Sequence, residues 1–533
     1  MLRRLLSLVL MVAILVAGLS TVAVAETGTE ENFSGYSGLP LTDEPVTLKL
    51  WLIANDSVSQ LVEKYEDLPF FKELEKRTGV HIEIELVSMS SAASSFSLMI
   101  SSDELPDLIM QSDAYGVTYA DGLDAAVEDG YFLDITPYLD NLASDYDKAR
   151  KWDIETELQT VTDSGRVASF RVCFTEGYQP PWDGMLIRKD WLDELNLEIP
   201  ITYDDWHNVL TQFKEKKGAT AALQIGPTGT MVEGSLMNAG YGVSNTFINV
   251  DRTVKYSPIE EGYREYLEMM HQWYKEGLVN PDFLSSTVAY TPDQSLIASG
   301  MSGAWCDIYT LLEAREALVE GMELVPVPSP VKNVGDTIYV GLNICGTGAG
   351  NYTVISADTK YPELCVKWCN YLYTQDCFLL SQYGIEGETY TMVDGKPTYT
   401  ELVTNNEKLS FNDARNYYTL YTCIGYRYDW ARETQTLSDR VMNCMDVWSS
   451  NYVKDRTKAY LLPSGVSMNA EENSRFATIM ADISTYVTES TTQFITGEKP
   501  LSEWDNYVAT IKGLKIDEAI GYQQAALDRY YAK

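Results

Sequence analysis

Histidine is scarce in this sequence, and the common enzyme signatures are absent. Only three histidines occur in 533 residues, and none of them stands at metal-ligand spacing from another histidine or from a cysteine. The motifs His-Glu-x-x-His and Gly-x-Ser-x-Gly and the P-loop are also absent. These absences argue against a zinc enzyme, a serine hydrolase and a P-loop nucleotide-binding protein. We expect neither a metal ion nor a cofactor.

Positive charge is scarce as well. The chain has 40 lysines and arginines against 77 acidic residues, which gives a formal net charge of −37. A field of this sign repels nucleic acid phosphates, so we expect no nucleic acid partner. The aromatic content is high, with 36 tyrosines and 11 tryptophans, which predicts a packed globule. Rings of this kind also offer flat faces that suit sugar rings.

The N-terminal residues have the pattern of a secretory signal. Arg3 and Arg4 precede an apolar run from Leu5 to Val16, and Ala23-Val24-Ala25 forms a small-x-small cleavage site. We predict that residues 1–25 are a signal peptide, with an uncleaved membrane anchor as the alternative. No cysteine lies beside the cleavage site, so no lipid anchor is predicted. The expected location is secreted or cell-surface associated, outside the cytoplasmic membrane.

The length of the chain predicts more than one lobe. Removal of residues 1–25 from the 533-residue chain leaves 508, which is too many for one hydrophobic core. Residues 26–45 are polar, acidic and glycine-containing, and we predict a flexible lead-in there. The eight cysteines are scattered rather than spaced as a framework, so we expect most of them to be buried free thiols.

The first part of the mature chain alternates between strand and helix patterns. Residues 46–51 and 81–86 alternate as strands do, residues 59–78 and 92–101 have helical patterns, and a third strand begins at residues 105–109. This order predicts a parallel sheet with crossover helices, which is an α/β lobe.

Helices dominate the rest of the chain. Residues 186–195 are amphipathic, and Thr202 caps a second helix whose first turn holds Asp204 and Asp205. Further helices are predicted over residues 260–275, 363–380, 472–488 and 504–531 and over much of 412–447.

Four blocks of sequence resemble extracellular solute-binding proteins of family 1, in particular their long oligosaccharide-type branch. Residues 105–109 match the "LPD-hydrophobic" strand of that family, and residues 186–206 match its "RKDWL … P-x-T-Y-D-E-W" segment. Residues 383–397 are similar to "GIEG-x-x-Y … DGKP". Residues 494–508, with the terminal Asp528-Arg529-Tyr530, resemble the C-terminal segment. The blocks follow the family's order and span nearly the whole mature chain.

The resemblance implies an α/β, two-lobe periplasmic-binding-protein-like (type 2) fold with extra C-terminal helices. Lobe one is expected over residues 46–165 plus 345–385, and lobe two over 166–344 plus 386–533. Chain crossings are expected near residues 165–174, 338–346 and 384–390, and the ligand is expected in the cleft between the lobes.

Cleft residues are expected at the carboxyl ends of strands and in crossing loops. Carboxylates and amides would pair with sugar hydroxyls, and aromatic rings would stack on the faces of the sugar rings. The predicted ligand-binding residues are Trp51, Asn55, Gln111, Asp113 and Tyr115 in lobe one and Trp182, Asp183, Trp305, Asp307 and Tyr309 in lobe two.

The predicted function is that of a monomeric solute-binding protein of an ABC importer. It would capture a small-molecule solute, taken here to be an oligosaccharide, and would deliver it to the membrane subunits of an ABC permease. Two alternatives remain open at this point. One is a secreted glycoside hydrolase or lyase, which needs two converging carboxylates. The other is a binding protein for peptides or other non-sugar solutes.

Overall fold

Two β-sheets organise the protein. The computed structural model describes residues 38–102, 104–112, 115–174, 181–226, 237–285, 292–340, 347–420, 424–428, 431–455, 458–463 and 465–533. The predicted signal peptide, residues 1–25, lies outside the described residues. The strands are β1 Val46–Ile53, β2 Val80–Val87, β3 Leu108–Ser112, β4 Phe170–Phe174, β5 Asp183–Arg188, β6 Ala221–Leu223, β7 Phe247–Val250, β8 Thr253–Tyr256, β9 Ser302–Ile308, β10 Leu324–Val327, β11 Thr347–Ile355, β12 Tyr390–Val393, β13 Lys396–Tyr399 and β14 Arg427–Tyr428.

Helices cover these sheets and form most of the C-terminal part. They are α1 Asp56–Ser59, α2 Pro69–Thr78, α3 Ala92–Ser102, α4 Gly122–Glu128, α5 Ser144–Arg150, α6 Ile154–Thr160, α7 Lys189–Leu195, α8 Tyr203–Lys217, α9 Glu261–Lys275, α10 Gln294–Ala298, α11 Leu312–Glu316, α12 Pro362–Tyr371, α13 Gln375–Tyr383, α14 Glu401–Thr404, α15 Phe411–Tyr418, α16 Ala431–Thr434, α17 Asp439–Trp448, α18 Ala470–Thr496, α19 Trp504–Gly513 and α20 Ile516–Ala532.

The first sheet has six strands in the order β14-β4-β11-β3-β1-β2. Strand β1 pairs in parallel with β2 and β3, which confirms the predicted parallel arrangement. Strand β11 is antiparallel to both β3 and β4, and β14 is parallel to β4. Strands β1, β3, β4 and β14 therefore run in one direction and end at the same edge of the sheet.

The second sheet has four strands in the order β10-β5-β9-β6. Strand β5 is antiparallel to β9 and β10, and β6 is parallel to β9. Apolar clusters cover both faces, and Trp448 of α17 packs against Gly184 of β5. A Cβ atom on Gly184 would lie 2.3 Å from the Trp448 ring, so this close approach requires glycine. The Trp448 indole N–H donates to the carbonyl of Met185 at 2.9 Å.

Core membership corrects the predicted lobe boundaries. The core of the first sheet includes Phe170, Phe174, Ile424 and Tyr428 as well as residues from β1 to β3. Residues 166–174 and the segment up to Tyr428 were predicted in lobe two, but β4 and β14 complete the sheet of lobe one. The prediction was wrong there because strand partners far apart in sequence leave no local signal. The core of lobe two draws on residues 185–327 and 479–527.

The chain passes between the sheets three times, always at the carboxyl edge of the first sheet. It leaves β4 at Phe174 and enters β5 at Asp183, leaves β10 at Val327 and enters β11 at Thr347, and leaves β14 at Tyr428 before α17. The predicted crossing near 384–390 was wrong. Residues 384–399 form a turn and the β12–β13 hairpin, which pack on α13 within lobe one.

Two local predictions also need correction. Residues 186–188 belong to β5, so the helix predicted from residue 186 begins at Lys189. The lead-in predicted to be flexible is ordered in its described part. There the amide N–H of Leu41 donates to the Thr78 carbonyl at 2.8 Å, and Leu39 and Leu41 pack against the core. Their apolar side chains fix this segment at the end of α2.

A contact between α20 and lobe one links the two halves away from the crossings. Asp163, in the loop after α6, accepts from Arg529 Nε at 3.0 Å and forms an ion pair with Lys533 Nζ at 3.2 Å. Arg529 also pairs with Glu472 at the start of α18, at 2.6 Å. Burial lowers the pKa of the Lys533 ammonium group, and Asp163 opposes this shift. We call the residues Asp163, Glu472, Arg529 and Lys533 the α20 clasp.

The helices of the described residues were checked for length and apolar character. No helix there combines enough length with enough apolar character to cross a bilayer.

Candidate functional site

Two strand edges bear most of the residues that the sequence nominated. In lobe one, β1 and β3 end at the edge from which the chain crosses to lobe two. In lobe two, β5 begins and β9 ends at the edge where the chain arrives from β4. Ligands of open α/β sheets bind outside the carboxyl ends of strands, so this junction is the candidate site.

Gln111 is the residue at this junction with the strongest indication of a missing partner. Its side chain is fully buried near the end of β3, and neither its amide nitrogen nor its amide oxygen has a hydrogen-bond partner. Burying an amide without partners costs free energy, and most buried polar groups in proteins are paired. An incoming hydroxyl group could donate to the oxygen and accept from the nitrogen.

Gln111 belongs to a row of three side chains that crosses the sheet. Tyr352 of β11 lies opposite Gln111 on one side and opposite Arg171 of β4 on the other. The Arg171 guanidinium stacks over the Tyr352 ring at 4.3 Å from its centroid. Directly opposite residues of an antiparallel pair share one face, so the row brings an amide, a phenol and a guanidinium together.

The other lobe-one predictions have different outcomes. Trp51 packs in the core against Phe96 with 2% of its surface exposed, so the predicted ligand contact of its ring is not supported. The ring is buried because Trp51 lies within β1 rather than after it. Asn55 follows β1 and is half-buried, and Tyr115 is 38% exposed; both stay predictions. Asp113 lies outside the described residues.

In lobe two, Trp182 and Asp183 stand where the chain enters β5. Both are half-buried, and the Trp182 carbonyl accepts from the amide N–H of Tyr309 at 3.1 Å. The thiol of Cys306 lies 3.7 Å from the Asp183 carboxylate. Burial raises the pKa of Cys306 well above its usual range, and Asp183 raises it further, so this thiol stays protonated. Trp182 and Asp183 remain candidate ligand residues.

Trp305 and Asp307, both predicted ligand contacts, lie inside lobe two in this conformation and not at its surface. Both are fully buried, because β9 is a central strand with apolar clusters on both faces rather than a loop after a turn. Arg315 Nε donates to Asp307 Oδ2 at 2.7 Å, which satisfies the carboxylate internally. Tyr309 is 7% exposed and packs in the same cluster as Trp305.

Sequence reasoning missed Arg171, Tyr352 and Asn416. Arg171 interrupts an otherwise apolar strand, which is a signal that the sequence does contain. No sequence signal pointed to Tyr352, because its position beside Gln111 depends on pairing between strands more than 200 residues apart. Asn416, near the end of α15, lines a pocket beside Asn55 and is 7% exposed.

Hydrogen-bonding groups and an aromatic ring lie together at the junction. Among the described residues, no group of three or more His, Cys, Asp or Glu side chains could hold a metal ion. The row of Gln111, Tyr352 and Arg171 offers hydrogen bonds and a ring. Side chains of these types can bind a polar solute through hydrogen bonds and ring contacts.

Comparison with known proteins gives one family match. Residues 59–376 match the family model described as bacterial extracellular solute-binding protein. The matched range begins at Ser59, the last residue of α1, and covers β2 to β11 in full.

Relatives and solved structures of similar fold carry related names. The fructooligosaccharide ABC transporter substrate-binding protein FusA of Streptococcus pneumoniae is 25% identical over 503 residues, with 86% of each chain covered. Lipoprotein LipO of Bacillus subtilis is 24% identical over 371 residues, covering 64% of this chain and 68% of LipO. An HMO-binding solute-binding protein from Bifidobacterium longum infantis superposes with a TM-score of 0.72 at 18% identity, over 92% of this chain and 99% of that chain.

Proposed function

Because the chain belongs to the bacterial extracellular solute-binding protein family, we propose that it captures an oligosaccharide between its lobes and delivers it to an ABC permease. The resemblance indicated by the sequence blocks is thereby confirmed at the level of the family. Members of this family are substrate-binding proteins and not enzymes. The alternative of a secreted glycoside hydrolase or lyase is therefore excluded.

Gln111 carries the proposal. A buried amide that lacks partners for both its nitrogen and its oxygen lies at the strand edge where ligands of such sheets bind. Sugar hydroxyls are donors and acceptors at once, and they match both halves of this amide. Tyr352 lies opposite Gln111 in the sheet, and the Arg171 guanidinium covers its ring.

Lobe closure is the proposed way in which binding is signalled. Three crossings join the lobes at one edge, which is the connectivity of a hinge. A ligand that contacts both lobes favours the closed state by its differential affinity for the two states. Trp182 and Asp183 are the proposed contacts from lobe two, and Asn55 and Tyr115 are proposed for lobe one.

The name of the relative FusA supports a sugar ligand, and the proposal extends this ligand class to the present chain. The proposed location is outside the cytoplasmic membrane, with residues 1–25 as a cleaved signal peptide. The proposed partners are the membrane subunits of an ABC permease, and the proposed state in solution is a monomer.

A thermal-shift screen with neutral oligosaccharides, acidic oligosaccharides and peptides tests the ligand class. A ligand selective for the folded state raises the melting temperature, by an amount that grows with its concentration relative to Kd. We expect at least one oligosaccharide to raise it and to be recovered chemically intact. If peptides alone raise the melting temperature, the sugar proposal is wrong.

The variant Gln111→Leu tests the site itself. It removes a buried unpaired amide, so the free protein should be as stable as the parent or more stable. The affinity for the oligosaccharide should fall about tenfold, which corresponds to the loss of one good hydrogen bond. Gln272→Leu, at an exposed position on α9 of lobe two, is the matched control for affinity. Unchanged affinity in Gln111→Leu would remove Gln111 from the site.

A further inference from the structure

Two tyrosine rings are stacked on each other at the second crossing between the lobes. Tyr339 lies in the crossing itself, between β10 and β11, and Tyr460 lies in the segment between α17 and α18. Their ring centroids are 5.2 Å apart, with an angle of 23° between the ring planes. The amide N–H of Tyr460 also donates to the carbonyl of Tyr339 at 2.6 Å. Tyr460 therefore supports one face of the Tyr339 ring.

A chain of contacts places Tyr339 at the edge of lobe two that borders the cleft. Val327, the last residue of β10, lies at the edge where β5 begins. Two residues later, the hydroxyl of Ser329 is hydrogen-bonded to the hydroxyl of Tyr452 at 2.9 Å. The backbone of Ile338 pairs with the backbone of Tyr452, and Tyr339 is the next residue along the chain.

The proposed ligand contact Asp183 lies close to the same tyrosine. Burial raises the pKa of the Tyr452 hydroxyl to about 12, and the Asp183 carboxylate contributes to this rise. Interactions between charges weaken with distance, so the effect agrees with the short path of contacts between the start of β5 and Tyr452. Tyr339 and Asp183 therefore belong to one region of the cleft edge.

The ring of Tyr339 is unusual in its exposure. Among the described residues, three aromatic side chains are exposed, namely Tyr115 at 38%, Tyr339 at 37% and Tyr361 at 41%. Tyr115 follows β3 at the cleft edge of lobe one. Tyr361 follows β11 at the opposite edge of that sheet, because β11 ends beside the first residue of β3. Two of the three exposed rings therefore lie at the junction of the lobes, one in each jaw of the cleft.

We propose that Tyr339 is a stacking platform for one sugar ring of the bound oligosaccharide, an inference that rests on the proposed oligosaccharide function. Aromatic rings offer a flat apolar face that suits the C–H face of a sugar. Because Tyr460 covers one face of the Tyr339 ring, the sugar stacks on the other. The contact with Tyr460 fixes the ring in advance, so less conformational freedom is lost when the sugar binds. A sugar held there contacts the crossing, and lobe closure brings it against lobe one.

Substitutions of the ring test the platform by titration calorimetry. The probes are cellotetraose, maltotetraose, kestose, lacto-N-tetraose and trigalacturonic acid, of which those that raise the melting temperature of the parent protein are used. Tyr339→Leu removes the ring and should weaken binding about tenfold, as expected for one aromatic contact. Tyr339→Phe keeps the ring and should bind within about threefold of the parent. Tyr361→Leu, at the exposed tyrosine of the opposite edge, is the matched control and should leave the affinity unchanged.

The variant Tyr460→Leu separates ligand stacking from a purely structural role of the pair. Tyr460→Leu and Tyr339→Leu break the same ring contact, so both should lower the melting temperature to a similar extent. Only Tyr339→Leu removes the face that the sugar contacts, so Tyr460→Leu should weaken binding by no more than about threefold. An equal loss of affinity in the two variants would overturn the platform.

Fluorine NMR of the protein labelled with fluorotyrosine tests the contact without removing the ring. The resonance of Tyr339 is assigned by its loss in Tyr339→Phe, and a bound sugar should shift it. If Tyr339→Leu does not fold, this shift decides. If a sugar binds the parent but neither shifts this resonance nor binds Tyr339→Leu more weakly, the platform is wrong and the proposed function stands. If no probe raises the melting temperature of the parent, the proposed function fails, and the platform fails with it.

Discussion

The indole N–H of Trp305 donates a hydrogen bond of 3.1 Å to Asp307, the residue two positions along the same strand. Both side chains are completely buried, and Arg315 completes the group from α11 at 2.7 Å. A tryptophan close to an acidic residue is a combination that suits sugar binding. Here, however, the two side chains form a hydrogen bond with each other inside lobe two.

Asp307→Asn should therefore destabilise the protein rather than weaken ligand binding. The change leaves Arg315 buried without its carboxylate, and breaking a buried ion pair costs about 3 kcal/mol or more. Chemical denaturation should report this loss, while the affinity of the remaining folded protein stays at the parent value. Asp446→Asn, on the exposed side of α17, is the control and should change stability little. A folded, stable Asp307→Asn protein with weakened binding would restore the ligand role.

The capping box at the start of α8 gives a second prediction. Thr202 accepts from the backbone N–H of Asp205, and Asp205 accepts from the backbone N–H of Thr202 at 2.9 Å. Thr202→Ala should cost about 1 kcal/mol in the free energy of unfolding. Thr510→Ala, on an exposed helical face, should change it by less than about 0.5 kcal/mol. Equal effects of the two substitutions would show that the cap contributes nothing.

The cysteines give a third prediction. Six of them, Cys173, Cys306, Cys365, Cys369, Cys377 and Cys444, are buried free thiols, as expected from the sequence, and Cys345 and Cys423 lie outside the described residues. Burial raises the pKa of Cys173 to about 12, so almost no thiolate exists at neutral pH.

The six thiols should resist iodoacetamide at pH 8 in the native protein and react once urea unfolds it. Peptide mass spectrometry resolves each site. Rapid native labelling of Cys173 would contradict its burial, while the same assay on unfolded protein controls for the reagent.

The α20 clasp predicts a pH dependence. Hydrogen bonds from Arg529 hold the pKa of Glu472 below its usual value of 4.5. A depressed carboxyl pKa contributes stability above the unfolded-state pKa and loses it as the pH falls through the folded-state pKa. Arg529→Gln should thus lower the free energy of unfolding by about 1 kcal/mol near pH 7, and the difference should shrink below about pH 4.5.

Denaturant titrations of both proteins from pH 3 to pH 7 measure this difference. Arg264→Gln, which loses only an exposed pair with Glu261, is the control. A difference that is constant across the pH range would exclude Glu472 as its source.

The sequence predicted helices and strands well where the pattern that defines the element lies within the segment itself. The helix after Thr202 ends at Lys217 before Gly218, as its cap, charges and apolar stripe indicate. Strands β1 and β2 agree with the alternation of residues 46–51 and 81–86 to within two residues. In each case the information lies within a few residues of the element.

The candidate site was harder to predict, because it depends on pairing over long distances. Gln111 was nominated from its place after a predicted strand, but its neighbours Tyr352 and Arg171 come from strands far along the chain. The burial of Trp305 was missed for the same reason. Its side chain is buried because α17 packs on that face of β9, and α17 lies more than 130 residues further along the chain.

The order in which strands join the first sheet constrains how the protein can fold. Strand β14, at residues 427–428, pairs with β4 some 250 residues earlier, and β11 separates β4 from β3. Lobe one cannot complete its core until four-fifths of the polypeptide has left the ribosome, and lobe two needs helix α20 at the very end. Contacts between segments so far apart in sequence slow folding. They also leave apolar surface exposed to solvent until the later segment has been synthesised.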